Sequence, residues 1–134
     1  MPNIAIQDIN AGKNLYWMWT AILSMLMINI VCAGQADVLK VEVGHTGEST
    51  YQFDVTVRHN DEGWDHYANK WDVVAPDGTV LATRILHHPH DDEQPFSRSL
   101  GGVKIPEGVN TVSIQAHDSV HGYGGKIITI QLPR

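Results

Sequence analysis

The chain contains very little sulfur, and all of it lies near the N-terminus. Its single cysteine is Cys32, and its four methionines lie at positions 1, 18, 25 and 27. Without a second cysteine the chain forms no internal disulfide bond, so a folded domain must rely on its hydrophobic core. The absence of thiolate and thioether ligands after residue 32 also disfavours iron–sulfur clusters and Cu(I).

Basic residues are scarce as well. The chain has 9 Lys and Arg residues against 15 Asp and Glu residues, which gives a formal net charge of −6 at pH 7. This balance argues against a nucleic acid or an anionic membrane surface as the partner. The sequence shows no linker, internal repeat or low-complexity tract, so we expect one domain.

The first part of the chain has the pattern of a secretory signal. Residues 15–31 are almost wholly apolar, Lys13 precedes them, and the small residues Gly34 and Ala36 follow. This order of basic, apolar and small residues predicts a signal peptide over residues 1–36. We therefore expect an exported protein, periplasmic or secreted, whose domain covers residues 37–134.

Two other fates of this segment stay open. If it is not cleaved, the apolar run is long enough to anchor the protein in a membrane. Otherwise we expect no contact with a membrane. Cys32 could be lipidated, although Asn29 and Val31 fit the sequence pattern for that modification poorly.

After residue 37 the sequence alternates between apolar and polar residues with the period of a β-strand. A helical period is lacking there. The Gly101-Gly102 pair breaks the alternation and predicts a bulge between Leu100 and Val103. Seven short strands predict an all-β fold, a seven-stranded antiparallel β-sandwich. The predicted strands cover residues 38–43, 51–58, 70–75, 79–86, 96–105, 111–116 and 128–132.

Two stretches carry a resemblance to known proteins. Trp71 on the third strand and the run SLGGVKIPEGVNTVSIQAHD (99–118) resemble immunoglobulin-like and fibronectin type III-like domains. This resemblance implies two packed sheets with their loops gathered at both ends. The runs EQPFSRSLGGVKIP (93–106) and AHDSVHGYGG (116–125) are similar to small exported bacterial proteins of uncharacterised function. That likeness implies export and no particular activity.

Histidine is the residue type that stands out. Seven of the 8 histidines fall within residues 58–66, 87–93 and 117–125. Because successive strands of the sandwich run in opposite directions, these three segments are expected at one end, which we call the histidine pole. His45 is expected at the other end. His59 continues the apolar face of the second strand, and Asp118 that of the sixth, so both should point inward.

Neutral imidazole is the commonest metal ligand in proteins, so the histidine pole predicts a site for Zn²⁺ or Cu(II). The predicted ligands are His59, His66, His88, His90, His117 and His121. The predicted supporting residues are His87, Glu93 and Asp118. The spacing matches no established metal motif, so the prediction depends on convergence of the loops.

Two alternatives remain. The loops could form a metal-free recognition module, in which Trp64, Tyr67 and Tyr123 contact a protein, a peptide or a sugar. An enzyme is the second alternative, because residues 118–121 contain the side chains of a nucleophilic triad and a metal with an open position can activate water. No complete catalytic signature is present, so we expect a binding protein rather than an enzyme, with a metal ion or an unknown protein or small ligand as its partner.

Overall fold

The computed structural model describes residues 34–134, which form two antiparallel sheets. The predicted signal segment lies outside the described residues except for residues 34–36. No helix within residues 34–134 has the length and apolarity needed to cross a membrane. The strands are β1 (Asp37–Gly47), β2 (Thr50–Arg58), β3 (Ala68–Val74), β4 (Val80–Ile85), β5 (Phe96–Lys104), β6 (Thr111–Asp118) and β7 (Ile128–Gln131).

The two sheets confirm the predicted fold class, a seven-stranded all-β sandwich. One sheet has the order β1-β2-β5 and the other the order β4-β3-β6-β7. Every neighbouring pair is antiparallel. The loops that follow β2, β4 and β6 therefore leave the sandwich at the same end, where the sequence has most of its histidines.

The predicted bulge in β5 is present. Tyr51 pairs with Val103 and Phe53 pairs with Leu100, so one residue of β2 faces two glycines of β5. Gly102 has a φ of 64°, which glycine adopts without the steric cost that a side chain would bring. The bulge restores the phase of β5, so that Val103 again points into the core.

The phase of β1 differs from the sequence pattern. The alternation groups Leu39 with Val41 and Val43, but the register of β1 shifts between Val38 and Lys40. Val38 is fully buried as a result, whereas Leu39 is half-buried. A bulge of this kind changes which residues face the core. Because Val38 and Leu39 are both apolar, the sequence pattern does not reveal the bulge.

The core lies between the sheets and ends in polar residues at the histidine pole. Trp71, Phe53 and Phe96 are its largest fully buried apolar side chains. The inward face of β2 continues into His59, and the inward face of β6 ends in Asp118; both side chains are buried, as predicted. The histidine pole therefore closes one end of the core.

Residues just before β1 also pack into the sandwich. Ala36 is buried in the core, and the backbone N–H of Val38 donates to the carbonyl of Lys126 at 2.8 Å. A Cβ added at Gly125 would lie 1.9 Å from the carbonyl oxygen of Ala36, so the two backbones are in close contact. Cleavage before Asp37 stays a prediction.

Candidate metal centre

The three loops of the histidine pole contact one another through hydrogen bonds. The backbone N–H of His90 donates to Oδ2 of Asp61 at 2.7 Å, which joins the loops after β4 and β2. The N–H of Ser119 donates to the carbonyl of Tyr67 at 2.9 Å, which joins the loops after β6 and β2. The loop after β2 is therefore the central one and holds the other two in place.

His59, His66 and Asp118 form the centre of the cluster. One donor atom from each lies within 4.8 Å of the others. Nε2 of His66 is 3.2 Å from Oδ1 of Asp118, and the rings of His59 and His66 meet edge to face at 4.7 Å. Ligands of a tetrahedral zinc ion, bound at about 2.0–2.1 Å, lie about 3.3 Å apart. Nε2 of His66 and Oδ1 of Asp118 are thus at the spacing of ligands that share one ion, and a donor atom of His59 lies within 4.8 Å of both residues.

His121 adds a fourth donor at the rim. Its ring centroid lies 4.9 Å from that of His66, and its Nδ1 lies 3.2 Å from Oδ1 of Asp118. Its side chain is 40% exposed, whereas that of Asp118 is fully buried. The cluster therefore has a closed side toward the core and an open side toward solvent at His121.

The atoms that face one another in this cluster are rich in lone pairs. The carbonyl oxygen of Gly34 lies 2.9 Å from Nε2 of His59 and 3.2 Å from Nε2 of His66. Carbonyl and carboxylate oxygens only accept hydrogen bonds, so each contact requires either a proton on the imidazole nitrogen or a cation between the two atoms. A metal ion among these atoms would satisfy all of them at once.

Asp61 orients the ring of His59 through a contact with its Nδ1 atom. Its Oδ1 lies 2.5 Å from Nδ1 of His59 and accepts the N–H of Ala68 at 3.0 Å. A carboxylate on Nδ1 keeps the proton at that nitrogen and leaves Nε2 free to bind a metal. Asp61 follows His59 by two residues and so continues the same face of the chain, and it is among the acids that the sequence makes available as ligands or as residues that orient a ligand.

Only one of the two carboxylate oxygens of Asp118 accepts hydrogen bonds from the described residues. Its Oδ1 accepts the backbone N–H groups of Val120 and His121 at 2.9 and 2.6 Å. Burial opposes ionisation, but these two hydrogen bonds, together with the neighbouring His121 and His59, outweigh it and lower the pKa of Asp118. Oδ2 is buried and has no hydrogen-bond partner among the described residues. A buried carboxylate oxygen without a partner is suited to a cation, although the contacts of Asp118 with His66 and His121 both run through Oδ1.

His90 lies behind the cluster. Its ring stacks on Phe96 at 3.9 Å, and its Nε2 accepts a hydrogen bond from Arg98 at 2.8 Å. Burial, together with the positive charge of Arg98 and the neighbouring His88, lowers the pKa of His90. Because Arg98 occupies its lone pair, His90 contributes through its backbone N–H, which holds Asp61. Metal binding by His90 stays a prediction.

The rest of the loop after β4 is more exposed. His88 is exposed, and its ring centroid lies 4.7 Å from that of His90. Glu93 contacts Arg98 at 3.4 Å, and His87 is exposed. The structure therefore does not bring His87, His88 or Glu93 into the cluster around Asp118, and their predicted roles at a metal stay untested.

His117 lies on the outer face of the four-stranded sheet, because it neighbours Asp118 in β6 and adjacent residues of a strand face opposite sides. Its Nδ1 donates to Asn69 at 2.6 Å, and its ring centroid is 4.8 Å from that of Tyr123. Burial and the charge of Lys70 lower the pKa of His117. The hydroxyl of Tyr123 donates to buried Asp72 on the same face.

The predicted aromatic contacts lie at the edge of the histidine pole. Trp64 is 67% exposed, and its ring meets that of Tyr67 edge to face at 5.6 Å. Tyr123 is also exposed, but its hydroxyl group is tied to Asp72. Ser119 is the hydroxyl residue of the possible triad at residues 118–121. Its hydroxyl group accepts a hydrogen bond from the backbone N–H of Tyr67 at 3.0 Å, so its hydrogen-bond partner is a backbone group.

Comparison with known proteins finds a relative of this chain. A protein of Halomicrobium mukohataei named "Putative lipoprotein" is 38% identical over 96 residues, which cover 72% of this chain and 47% of the relative. The chain thus spans about half the length of the curated relative it matches. No family model matches the chain. No solved structure matches it significantly.

Proposed function

We propose that this protein is an exported binding protein that holds one divalent metal ion through His59, His66 and Asp118, with His121 at the open side. The observation that carries the proposal is the set of lone-pair atoms that face one another at the closed end of the core. Asp61 supports it, because a carboxylate that orients a ligating histidine is a regular companion of protein metal sites.

The donor types favour Zn²⁺ or Cu(II). Imidazole suits zinc, copper, nickel and iron, whereas calcium and magnesium prefer sites made of oxygen ligands alone. Catalytic zinc sites include sets of two histidines and one carboxylate. A site with an exposed rim at His121 leaves room for a further ligand from solvent, so exchange of the metal fits better than permanent burial.

Metal content and thermal stability test the proposal. Untagged protein purified without added metal should contain about one equivalent of Zn²⁺ or Cu(II), or take it up in titration. A metal that binds only the native state at one hundred times its Kd stabilises that state by about 2.7 kcal/mol. His66→Gln should lose this effect, and His45→Gln at the opposite end should keep it.

The outcome that contradicts the proposal is equal behaviour of the two variants. If His66→Gln and His45→Gln show the same metal-dependent rise in Tm, the metal binds elsewhere. Melting curves in EDTA provide the control, because His66 is partly exposed and its replacement should leave the metal-free fold intact.

Export and fold family are further parts of the proposal. The apolar run at residues 15–31 and the name of the relative support export, and they leave a periplasmic or a released form equally open. The sandwich is proposed to be immunoglobulin-like or fibronectin type III-like. Buried Trp71 on β3 and the division into three and four strands support that assignment.

A metal-free recognition module is the second candidate. The exposed indole of Trp64 beside Tyr67 favours it, because aromatic rings on loops at one end of a sandwich commonly anchor partners. The same loops hold the histidine cluster, so the two functions differ in the residues they require. The variant Trp64→Ala separates them, because it removes the exposed indole and leaves the histidines in place.

A further inference from the structure

Gly34 lies directly on the histidine cluster. Its carbonyl oxygen contacts Nε2 of both His59 and His66. A Cβ added at Gly34 would lie 2.6 Å from Cε1 of His121, and its φ of +131° is one that other residues rarely adopt. Its backbone therefore contacts all three histidines of the cluster, and a side chain at this position would displace His121.

The sequence before Gly34 fits the end of a leader peptide. Ala33 and Val31 occupy the two positions at which a leader-peptidase site of the A-x-A type carries small or short side chains. Cleavage after Ala33 keeps Ala36 in the core, where it is buried. Cleavage before Asp37 would remove Ala36 together with the carbonyl group of Gly34.

We propose that the mature protein begins at Gly34 and that its free α-amine is a ligand of the metal centre. This inference rests on the proposed metal-binding function and specifies its ligand set. Hydrolysis of the Ala33–Gly34 peptide bond consumes one water, leaves the carboxylate on Ala33 and frees the amine of Gly34. Before hydrolysis the same nitrogen is an amide, which is a poor ligand.

The chemistry of an N-terminal glycine suits this role. The amine nitrogen and the carbonyl oxygen of one residue can close a five-membered chelate ring on a metal ion. The carbonyl oxygen already faces His59 and His66, so the amine would join two imidazoles and one carboxylate. A nitrogen-rich set with an amine favours Cu(II), which binds N and O ligands more tightly than the other divalent first-row metals.

The first test is the N-terminus of the exported protein. The full chain is produced with its own leader in an exporting host and purified without a tag, and its intact mass and first residues are determined. Gly34 as the first residue is the expected result. A start at Asp37, or a lipid attached to Cys32 with the intervening residues retained, would overturn the inference.

The second test moves the amine away from the metal. A serine inserted between Ala33 and Gly34 leaves the residues before the cleavage site unchanged and turns the Gly34 nitrogen into an amide. Cu(II) affinity, measured by competition with a chelator, should fall at least about ten-fold, as for loss of a group that supports a metal site. Cys32→Ala is the control, and it should keep both the Gly34 terminus and the affinity.

The outcomes separate the inference from the proposed function. If the insertion variant binds Cu(II) as tightly as the native protein, the α-amine is not a ligand, and the site of imidazoles and carboxylate stands. If neither protein binds Cu(II) or Zn²⁺, the proposed function fails and the inference with it. Equal urea midpoints of the two metal-free proteins show that the insertion has not disturbed the fold.

Discussion

Oδ1 of Asp61 lies 2.5 Å from Nδ1 of His59, and both side chains are fully buried. The same carboxylate accepts the N–H of Ala68 at the start of β3 and the N–H of His90 in the loop after β4. One side chain thus joins two loops, a strand and the ring of a proposed ligand. The orientation of His59 is therefore set by the fold.

The first prediction concerns this orientation. Asp61→Asn removes the charge that holds the Nδ1 proton of His59, and it places an amide among three hydrogen-bond donors. We expect metal affinity to fall by about ten- to one hundred-fold, as for other groups that orient a metal ligand. Isothermal titration measures it. Asp65→Asn, an exposed acid in the same loop, is the control. Equal affinities for the two variants would rule out this role.

The second prediction concerns Asp118. Asp118→Asn retains an oxygen for the N–H groups of Val120 and His121 but removes the buried charge on Oδ2. In EDTA its stability should fall by about 1–3 kcal/mol, because the new amide N–H group is buried where Oδ2 has no partner among the described residues. The rise in Tm on addition of Zn²⁺ should largely disappear. A full rise would show that Asp118 is not a ligand.

The third prediction is acid destabilisation of the metal-free protein. The pKa values of His90 and His117 are lowered in the native state, so below the unfolded value of about 6.5 the unfolded chain binds more protons. The stability from these groups is present above that value and is lost as the pH falls from it toward the native pKa. The lowered pKa of Asp118 acts in the same direction at more acidic pH.

Urea midpoints in EDTA between pH 7.5 and pH 5 measure this loss. His117→Gln should flatten the curve, because the glutamine cannot be protonated. His45→Gln is the matched control, since His45 is exposed at the opposite end of the sandwich. A urea midpoint that rises on acidification would contradict the expected loss of stability.

The fourth prediction compares two tryptophans. Trp71 is fully buried between the sheets, so Trp71→Ala should cost about 3–5 kcal/mol of unfolding free energy. Trp64→Ala should change it by less than about 0.5 kcal/mol, because that side chain is mostly exposed. If the histidine pole binds a protein, peptide or sugar, Trp64→Ala should abolish binding at unchanged Tm. Retained binding would exclude Trp64 as an anchor.

The fifth prediction concerns the contact between Gly125 and Ala36. Gly125→Ala places a Cβ against the backbone of Ala36 and should cost about 1–3 kcal/mol, as for other overpacked sites. Gly44→Ala is the control, because nothing lies within 4 Å of its added Cβ. Urea unfolding of the exported protein measures both. Equal stability of the two variants would indicate that residues 34–36 are absent from the mature fold.

The strands were predictable because each has one face toward the core and the other toward solvent. Apolar and polar residues therefore alternate along the sequence with a period of two. His59 and Asp118 could be placed inside by the same argument. The shift at Leu39 escaped prediction because Val38 and Leu39 are both apolar. A bulge between two apolar residues leaves no mark in the alternation.

The site was predictable only in part, since loops have no period. The sequence predicted His59, His66 and His121 as ligands. The hydrogen bond from Arg98 to Nε2 of His90 depends on tertiary contacts that no sequence pattern encodes. Gly34 contributes through its carbonyl group, which is a backbone atom and has no signature in the sequence. The sequence predicts a leader over residues 1–36, and that boundary stays a prediction.

The hairpin between β6 and β7 is fixed on both faces of its sheet. His121 is held by Asp118 at the end of the core, and Tyr123, two residues later, is held by Asp72 on the outer face. Because hydrogen bonds hold both His121 and Tyr123, this short segment has little conformational entropy left to lose on metal binding. Metal binding through His121 would therefore incur only a small ordering penalty, and the affinity of the site would reflect its ligands rather than the rearrangement of a loop.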